Sequence, residues 1–492
     1  MHLLKTIGLT IIVCTLSLCA AGQQAFPDFT PSQLRADLAI LRNAFEHAHP
    51  GLYWYQTKAA MDSAFDATHA ALNHDMNVVE FYRLMSPLVN MIGCLHTGIW
   101  PDARVREQVW DKGPLLPLRV HFTAQGRAYC LRNDTNGQSP IAPGDEITSI
   151  NGHSIANLLA RGLPISRLDG TNKGSLQRWN MRFNWFYPMF IEQARQYQVT
   201  YIDQQGQSQT TTIKAESFEV IKPRIKAAGA WHPNPPAHIV LDLNTHLGVA
   251  VLKVYSFDDW KVGKKKVRFV SALEAAFRQI EEAQVKNLVI DVRGNHGGVE
   301  KYGMYLLSYL VNEPFTAYKQ IRFKTTKFPF RKHTTASWLE VPLYKAYLKH
   351  KKVNDTTYLL VNDRNLKPFN PAKRYNFTGS TYVLTDNMSM STTADFASVA
   401  YASGVATFVG QETGGGALGN CSGYDFTLVL PNTNMHAELP LAKYVTNVPA
   451  QGKYGRGVVP HHVVEPTVQD LLTDHDAVMA YTLRLMGTAV KR

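Results

Sequence analysis

The sequence predicts an α+β chain of several domains, and two observations carry that reading. Its 492 residues are 45% hydrophobic and 11% aromatic, enough apolar material for two or three packed cores. The texture also changes twice along the chain. Apolar residues recur first at helical spacing, then in short β-like runs between turn residues, and finally in strands that alternate with helices.

Met1 to Gly22 reads as a secretory signal: Lys5 gives the positive start, Ile7 to Cys19 an apolar core, and Ala20-Ala21-Gly22 a small-residue cleavage site. The mature chain is expected to begin near Gln23. Lipid attachment at Cys19 is the weaker alternative, because Leu18 is larger than the residue that precedes such cysteines. No later stretch reaches the roughly 18 to 20 apolar residues that span a bilayer. The expectation is therefore a secreted or periplasmic protein without stable membrane insertion. Cys94, Cys130 and Cys421 remain after the signal, too few and too scattered for a disulfide framework. The net charge of +12 comes from dispersed basic residues, and Lys264-Lys265-Lys266 reads as a solvated run, so no nucleic-acid partner is expected.

Within residues 23–108, Thr30-Pro31 predicts an N-cap followed by proline in the first turn, with Leu34, Leu38, Leu41 and Phe45 on one helical face. Met61, Phe65 and Leu72 mark a second helix. Phe81, Met85, Leu88 and Ile92 mark a third, which Pro87 can kink and Gly93 ends. Residues 113–215 read as a β domain whose most patterned part is Ile141 to Ile155, with the tight turn Asn151-Gly152 between strands. Residues 247–475 read as an α/β core and 476–492 as a C-terminal helix. Residues 320 to 375, rich in Lys, Phe and Pro, read as an insertion or a lid.

Two strand-to-helix junctions in the core carry candidate chemistry. In the first, the strand Leu288 to Val292 runs into Arg293-Gly294-Asn295-His296-Gly297-Gly298; glycines there let N–H groups approach an anion closely. The Walker lysine and the dinucleotide spacing are missing, so a nucleotide site is not expected. In the second, Tyr382 to Thr385 leads to Ser391, placed where a helix should begin. Taken alone, that serine reads more readily as an N-cap than as a nucleophile.

Taken together, the junctions resemble the tail-specific, or C-terminal processing, peptidase family, whose cores carry "L-R-x-N-x-G-G" after one strand and "S-x-x-E" at a later turn. Gly410-Gln411-Glu412-Thr413-Gly414-Gly415-Gly416 resembles its third landmark, and Gly455 to Pro460 with Thr467 to Leu472 its closing segment. The stretch Pro143-Gly144-Asp145 to Asn151-Gly152 resembles part of a PDZ domain, a fold that captures extended peptides by strand addition. The resemblance implies a core of the crotonase and Clp kind, a peptide or protein substrate, and no cofactor. The family's processing branch uses a lysine where this chain has Gly415. Ile92-Gly93-Cys94-Leu95-His96-Thr97 is instead similar to the "G-x-x-H-T" motif of the tricorn-core branch, which is itself similar to retinoid-binding-protein repeats.

The resemblance thus implies acyl transfer, with Ser391 as nucleophile, His96 as base, and backbone N–H groups of Gly297 or Gly298 and of Thr392 holding the oxyanion. Asp291 and Arg293 are expected to brace the turn, and Ser389 stands in reserve as nucleophile. This chain departs from the family at Ala394, where a glutamate is common, and at His461, where the closing segment usually has aspartate. The residue orienting the histidine stays unassigned, with only Tyr454 near the corresponding place. No metal is expected at His461-His462, since adjacent side chains diverge, and Cys94 is expected to be a packed thiol. The competing reading is a binding protein for a peptide or apolar ligand, built on the same scaffold with degraded chemistry.

Overall fold

The computed structural model describes residues 26–229, 237–336, 349–449 and 454–487; the expected signal lies outside them. Thr30 caps the helix Pro31–Ala48, with its hydroxyl accepting from the Gln33 N–H and Gln33 reaching back to the Thr30 N–H. Asn77 and Glu80 repeat the device on Val78–Asn90, and Lys58–Ala71 lies between the two helices. Gly93 follows at φ +70°, a left-handed conformation that favours glycine.

The next region forms a six-stranded antiparallel sheet from Leu118–Phe122, Ala128–Asn133, Glu146–Ile150, His153–Ser154, Gln196–Ile202 and Ser208–Lys214. Asn151 and Gly152 both have positive φ and make the tight turn their sequence predicts. The helix Ser175–Phe186 covers this sheet with buried Trp179 and Phe183, and the Asn180 amide bonds both backbone groups of Phe122 at 2.7 and 2.9 Å.

The core sheet has the order Ile239–Asn244, Val249–Val254, Asn287–Asp291, Ser380–Thr385, Thr407–Gly410 and His462–Val463. Its first pair is antiparallel and the rest parallel. Asn287–Asp291 is buried at four of its five positions, as a strand covered on both faces must be. The helices Phe269–Glu282, Glu300–Ser308 and Thr392–Ala402 fill out the α/β layers.

A five-stranded antiparallel sheet joins His350–Asn354, Thr357–Leu360, Tyr318–Phe323, Ala442–Thr446 and Gly419–Ser422. This corrects the insertion-or-lid reading of 320 to 375, because Tyr318–Phe323 pairs with Ala442–Thr446 and with Thr357–Leu360, which ties the stretch into one sheet with later chain. A smaller sheet, Phe426–Val429 with His436–Leu439, accepts Ile99–Trp100 as its third strand. That pairing carries the chain just after His96 into the core. Among the described residues no helix is long and apolar enough to cross a membrane.

Candidate active site

Parallel strands place their following loops at one edge of the sheet, where sites in open α/β folds form. The turn after Asn287–Asp291 and the turn after Ser380–Thr385 meet there. Met390 donates its N–H to the Asn295 carbonyl at 3.1 Å, and the Thr392 hydroxyl donates to the Gly298 carbonyl at 2.7 Å. A Cβ on Gly297 would stand 2.7 Å from the Ser391 Cβ, so only glycine lets the turns approach this closely.

Ser391 occupies the N-cap position of Thr392–Ala402 but does not act as a cap. It has φ +52°, ψ −129° and makes no capping hydrogen bond. Such backbone is strained for a residue with a side chain, costing of order 1–3 kcal/mol, and tends to occur at functional sites. The Ser391 Oγ instead lies 3.1 Å from the His96 Nε2, across 295 residues of sequence. Ser389 is fully buried, and its hydroxyl donates to the Val292 carbonyl at 2.9 Å. Its place in reserve is therefore corrected: it holds the two turns together.

The Gly297 N–H donates to the Asn295 Oδ1 at 2.8 Å, which removes Gly297 from the candidate oxyanion donors and leaves it a steric role. The N–H groups of Gly298 and Thr392 carry no such bond among the described residues. Arg293 pairs with Asp291 at 2.8 Å and with Asp476 at 2.7 Å, bracing the turn and the start of the helix Ala477–Leu485.

The histidine side is assembled from distant segments. The Asp169 carboxylate accepts from the Leu95 N–H at 2.7 Å and from the Gly416 N–H at 3.1 Å. Gly170 donates to the Gly93 carbonyl at 2.8 Å, and Glu438 donates its N–H to the Gly98 carbonyl at 2.9 Å. His49 Nε2 and the Thr97 hydroxyl lie 2.7 Å apart. Sequence reasoning missed Asp169; its one local signal is the turn-rich run Asp169-Gly170-Thr171-Asn172-Lys173-Gly174.

Burial lowers the pKa of His96, but contact with Cys94 and the charges of Asp169 and Asp425 outweigh it, raising the group from 6.5 to about 9. Burial likewise opposes ionisation of Cys94, but the surrounding polar groups of Cys421, His49 and His96 hold the thiol down instead. Asp169 is pushed up to about 6, by burial first and then by Cys94. The His96 Nδ1 is buried without a hydrogen-bond partner. Tyr454 does not orient it, since its hydroxyl donates to the Trp54 carbonyl.

Two sequence departures prove to be neighbours. A Cβ on Gly415, where the processing branch has its lysine, would meet the Ala394 Cβ at 2.5 Å. A glycine at one position accompanies a small residue at the other. His461 accepts the Phe408 N–H at 3.0 Å and stacks on Tyr401, while His462 meets the Tyr481 hydroxyl. Among the described residues no cluster suited to a metal ion is found.

The fold of this chain is that of a peptidase. Residues 248–464 match the model of Peptidase family S41, so the chain carries a core of the tail-specific, C-terminal processing peptidase family. Among solved structures it is similar to mature CPAF, with a TM-score of 0.63 and 14% identity over 94% of this chain and 99% of that one. Mature CPAF complexed with lactacystin is similar at a TM-score of 0.64 and 14% identity, over 93% and 97% of the two chains. At this identity the likeness concerns the fold alone. No curated protein matches the chain.

Proposed function

We propose that this chain is an exported serine-type endopeptidase of the C-terminal processing kind, in a serine–histidine branch, cleaving peptide bonds by acyl transfer. The observation that carries the reading is the 3.1 Å approach of the His96 Nε2 to the Oγ of a serine in strained backbone. In the proposed mechanism the Ser391 Oγ attacks the peptide carbonyl while neutral His96 takes its proton and returns it to the leaving amine. Gly298 and Thr392 donate N–H groups to the oxygen as it becomes negative. Water then releases the acyl group by the reverse sequence. The six-stranded sheet of residues 118–214 is a PDZ-like module in this reading, and residues 247–475 a crotonase-like core. A binding protein with degraded chemistry has no need of a histidine within hydrogen-bond reach of a strained serine.

Labelling with a fluorophosphonate serine probe tests the proposal. The folded wild type should label, and Ser391→Ala and His96→Ala should not. A folded wild type that resists the probe, or a Ser391→Ala protein that still labels, would refute it.

A further inference from the structure

Beside the helical segment, but distinct from the Ser391 site, lies a cavity of about 210 Å³ lined in part by His49, Tyr53, Trp54, Arg322, Lys324 and Lys443. Arg322 and Lys443 are direct partners in the antiparallel pair Tyr318–Phe323 and Ala442–Thr446, which puts both cations on one face of the sheet. Lys324, just past the end of that strand, lines the same cavity. Like charges directly opposite each other destabilise a sheet, and none of the three is paired with a carboxylate among the described residues. Glu46, the acid felt by Lys324, is already bound to Arg42 at 2.9 Å. Aromatic rings offer the lysines their contacts instead. Lys443 Nζ lies 3.4 Å from the centre of the Trp54 ring, and Lys324 Nζ lies 5.2 Å from that of Tyr53. Burial, with repulsion from Arg322, brings Lys443 down to about 8 even though Cys421 opposes the shift.

A concave pocket with aromatic walls, a planar guanidinium and two amines is suited to a carboxylate, which would both pair with the cations and relieve their repulsion. We propose that Arg322, Lys324 and Lys443 form a carboxylate-binding site that holds an acidic side chain of a bound peptide. The proposal rests on the peptidase reading only in taking the ligand to be a peptide; binding is read without turnover, so either idea can fail alone.

The test is calorimetric titration of the Ser391→Ala protein with an acetylated, amidated peptide carrying several glutamates, beside its glutamine counterpart. A glutamine peptide with a free C-terminus and citrate complete the set. The blocked glutamate peptide should bind best, and more weakly as salt is raised. Binding should fall at least about tenfold for the blocked glutamine peptide, and equally when Arg322→Gln or Lys443→Gln is added. Without ligand, Arg322→Gln should melt no lower than its parent, since it removes a like-charge contact. Equal binding of the two blocked peptides, or indifference to both substitutions, would overturn the site. Preference for citrate or for the free C-terminus would overturn the acidic side chain as its ligand. A ligand-free Arg322→Gln protein melting well below its parent would show the cluster to be structural, and would also overturn the proposal. Binding as expected in a protein whose wild type resists the serine probe would retain the site while removing the peptidase reading.

Discussion

Ser391 is held within the α/β core, by its own turn and by the glycine turn beside it, whereas His96 is held by segments from other regions of the chain. Around the serine, Thr393 donates to the Met390 carbonyl and Asp395 to the Ser391 carbonyl, with one strand-to-helix turn supplying the conformation. The histidine loop depends on Asp169, Gly170 and Glu438, from two other regions of the chain. The comparison teaches that the nucleophile's shape is a local property of the core, while the position of the base depends on how the helical segment is docked. Damage to docking should therefore cost activity well before it unfolds the core.

The largest effect is expected at Asp169. Replacing it with alanine leaves the Leu95 and Gly416 N–H groups without their acceptor and frees the histidine loop. A displacement of about 1 Å is enough to lower kcat by about 10²-fold, and the loss should fall on kcat more than on KM. Steady-state kinetics beside circular dichroism checks this, and an unchanged kcat in a folded variant would break the contrast between the two halves.

Gly415→Ala tests the local half. Its Cβ would press on Ala394, and overpacking of this kind costs about 1–3 kcal/mol, to be read as a lower denaturation midpoint. A variant as stable as the parent would mean that the turn yields more easily than its geometry implies.

Cys94→Ala sharpens the distant half through pH. Because His96 must be neutral to act as base and is raised to about 9, kcat/KM should increase as pH rises through that range. Removing Cys94 takes away the principal contact raising the imidazole, so the rising limb should move to lower pH. A pH–rate profile that stays in place would show that Cys94 does not set the titration.

The smallest effect is expected for Ser391→Gly, which relieves the positive φ but loosens the unfolded chain. The net stabilisation should stay within about 1 kcal/mol, measured by denaturant titration. A clear loss of stability would mean that the Ser391 side chain supports the fold.

The helical stretch was legible because Thr30, Pro31 and the apolar repeat after them act within a few residues of one another. The glycine turn at 293–298 and the serine turn at 391 were legible for the same reason, and the resemblance in motif order joined them. The roles of Gly297 and Ser389 were not legible, since which N–H or hydroxyl is already engaged depends on Asn295 and Val292 as placed by the fold. Nor did Lys- and Phe-rich composition reveal that Tyr318–Phe323 and Thr357–Leu360 are strands, because their partners come from each other and from Ala442–Thr446.

By itself the sequence determined the three N-terminal helices with the Thr30 cap, the Asn151-Gly152 turn, and the two glycine- and serine-bearing junctions. Backbone preference and hydrophobic periodicity operate over short spans, so a few consecutive residues suffice to encode them. Only the tertiary structure decided that His96 meets Ser391, that Asp169 ties down the histidine loop, that Gly415 and Ala394 share one space, and that Arg322 stands beside Lys443. Each of these is a contact between residues at least about twenty positions apart, and it exists only once packing and strand register have brought the separate segments together.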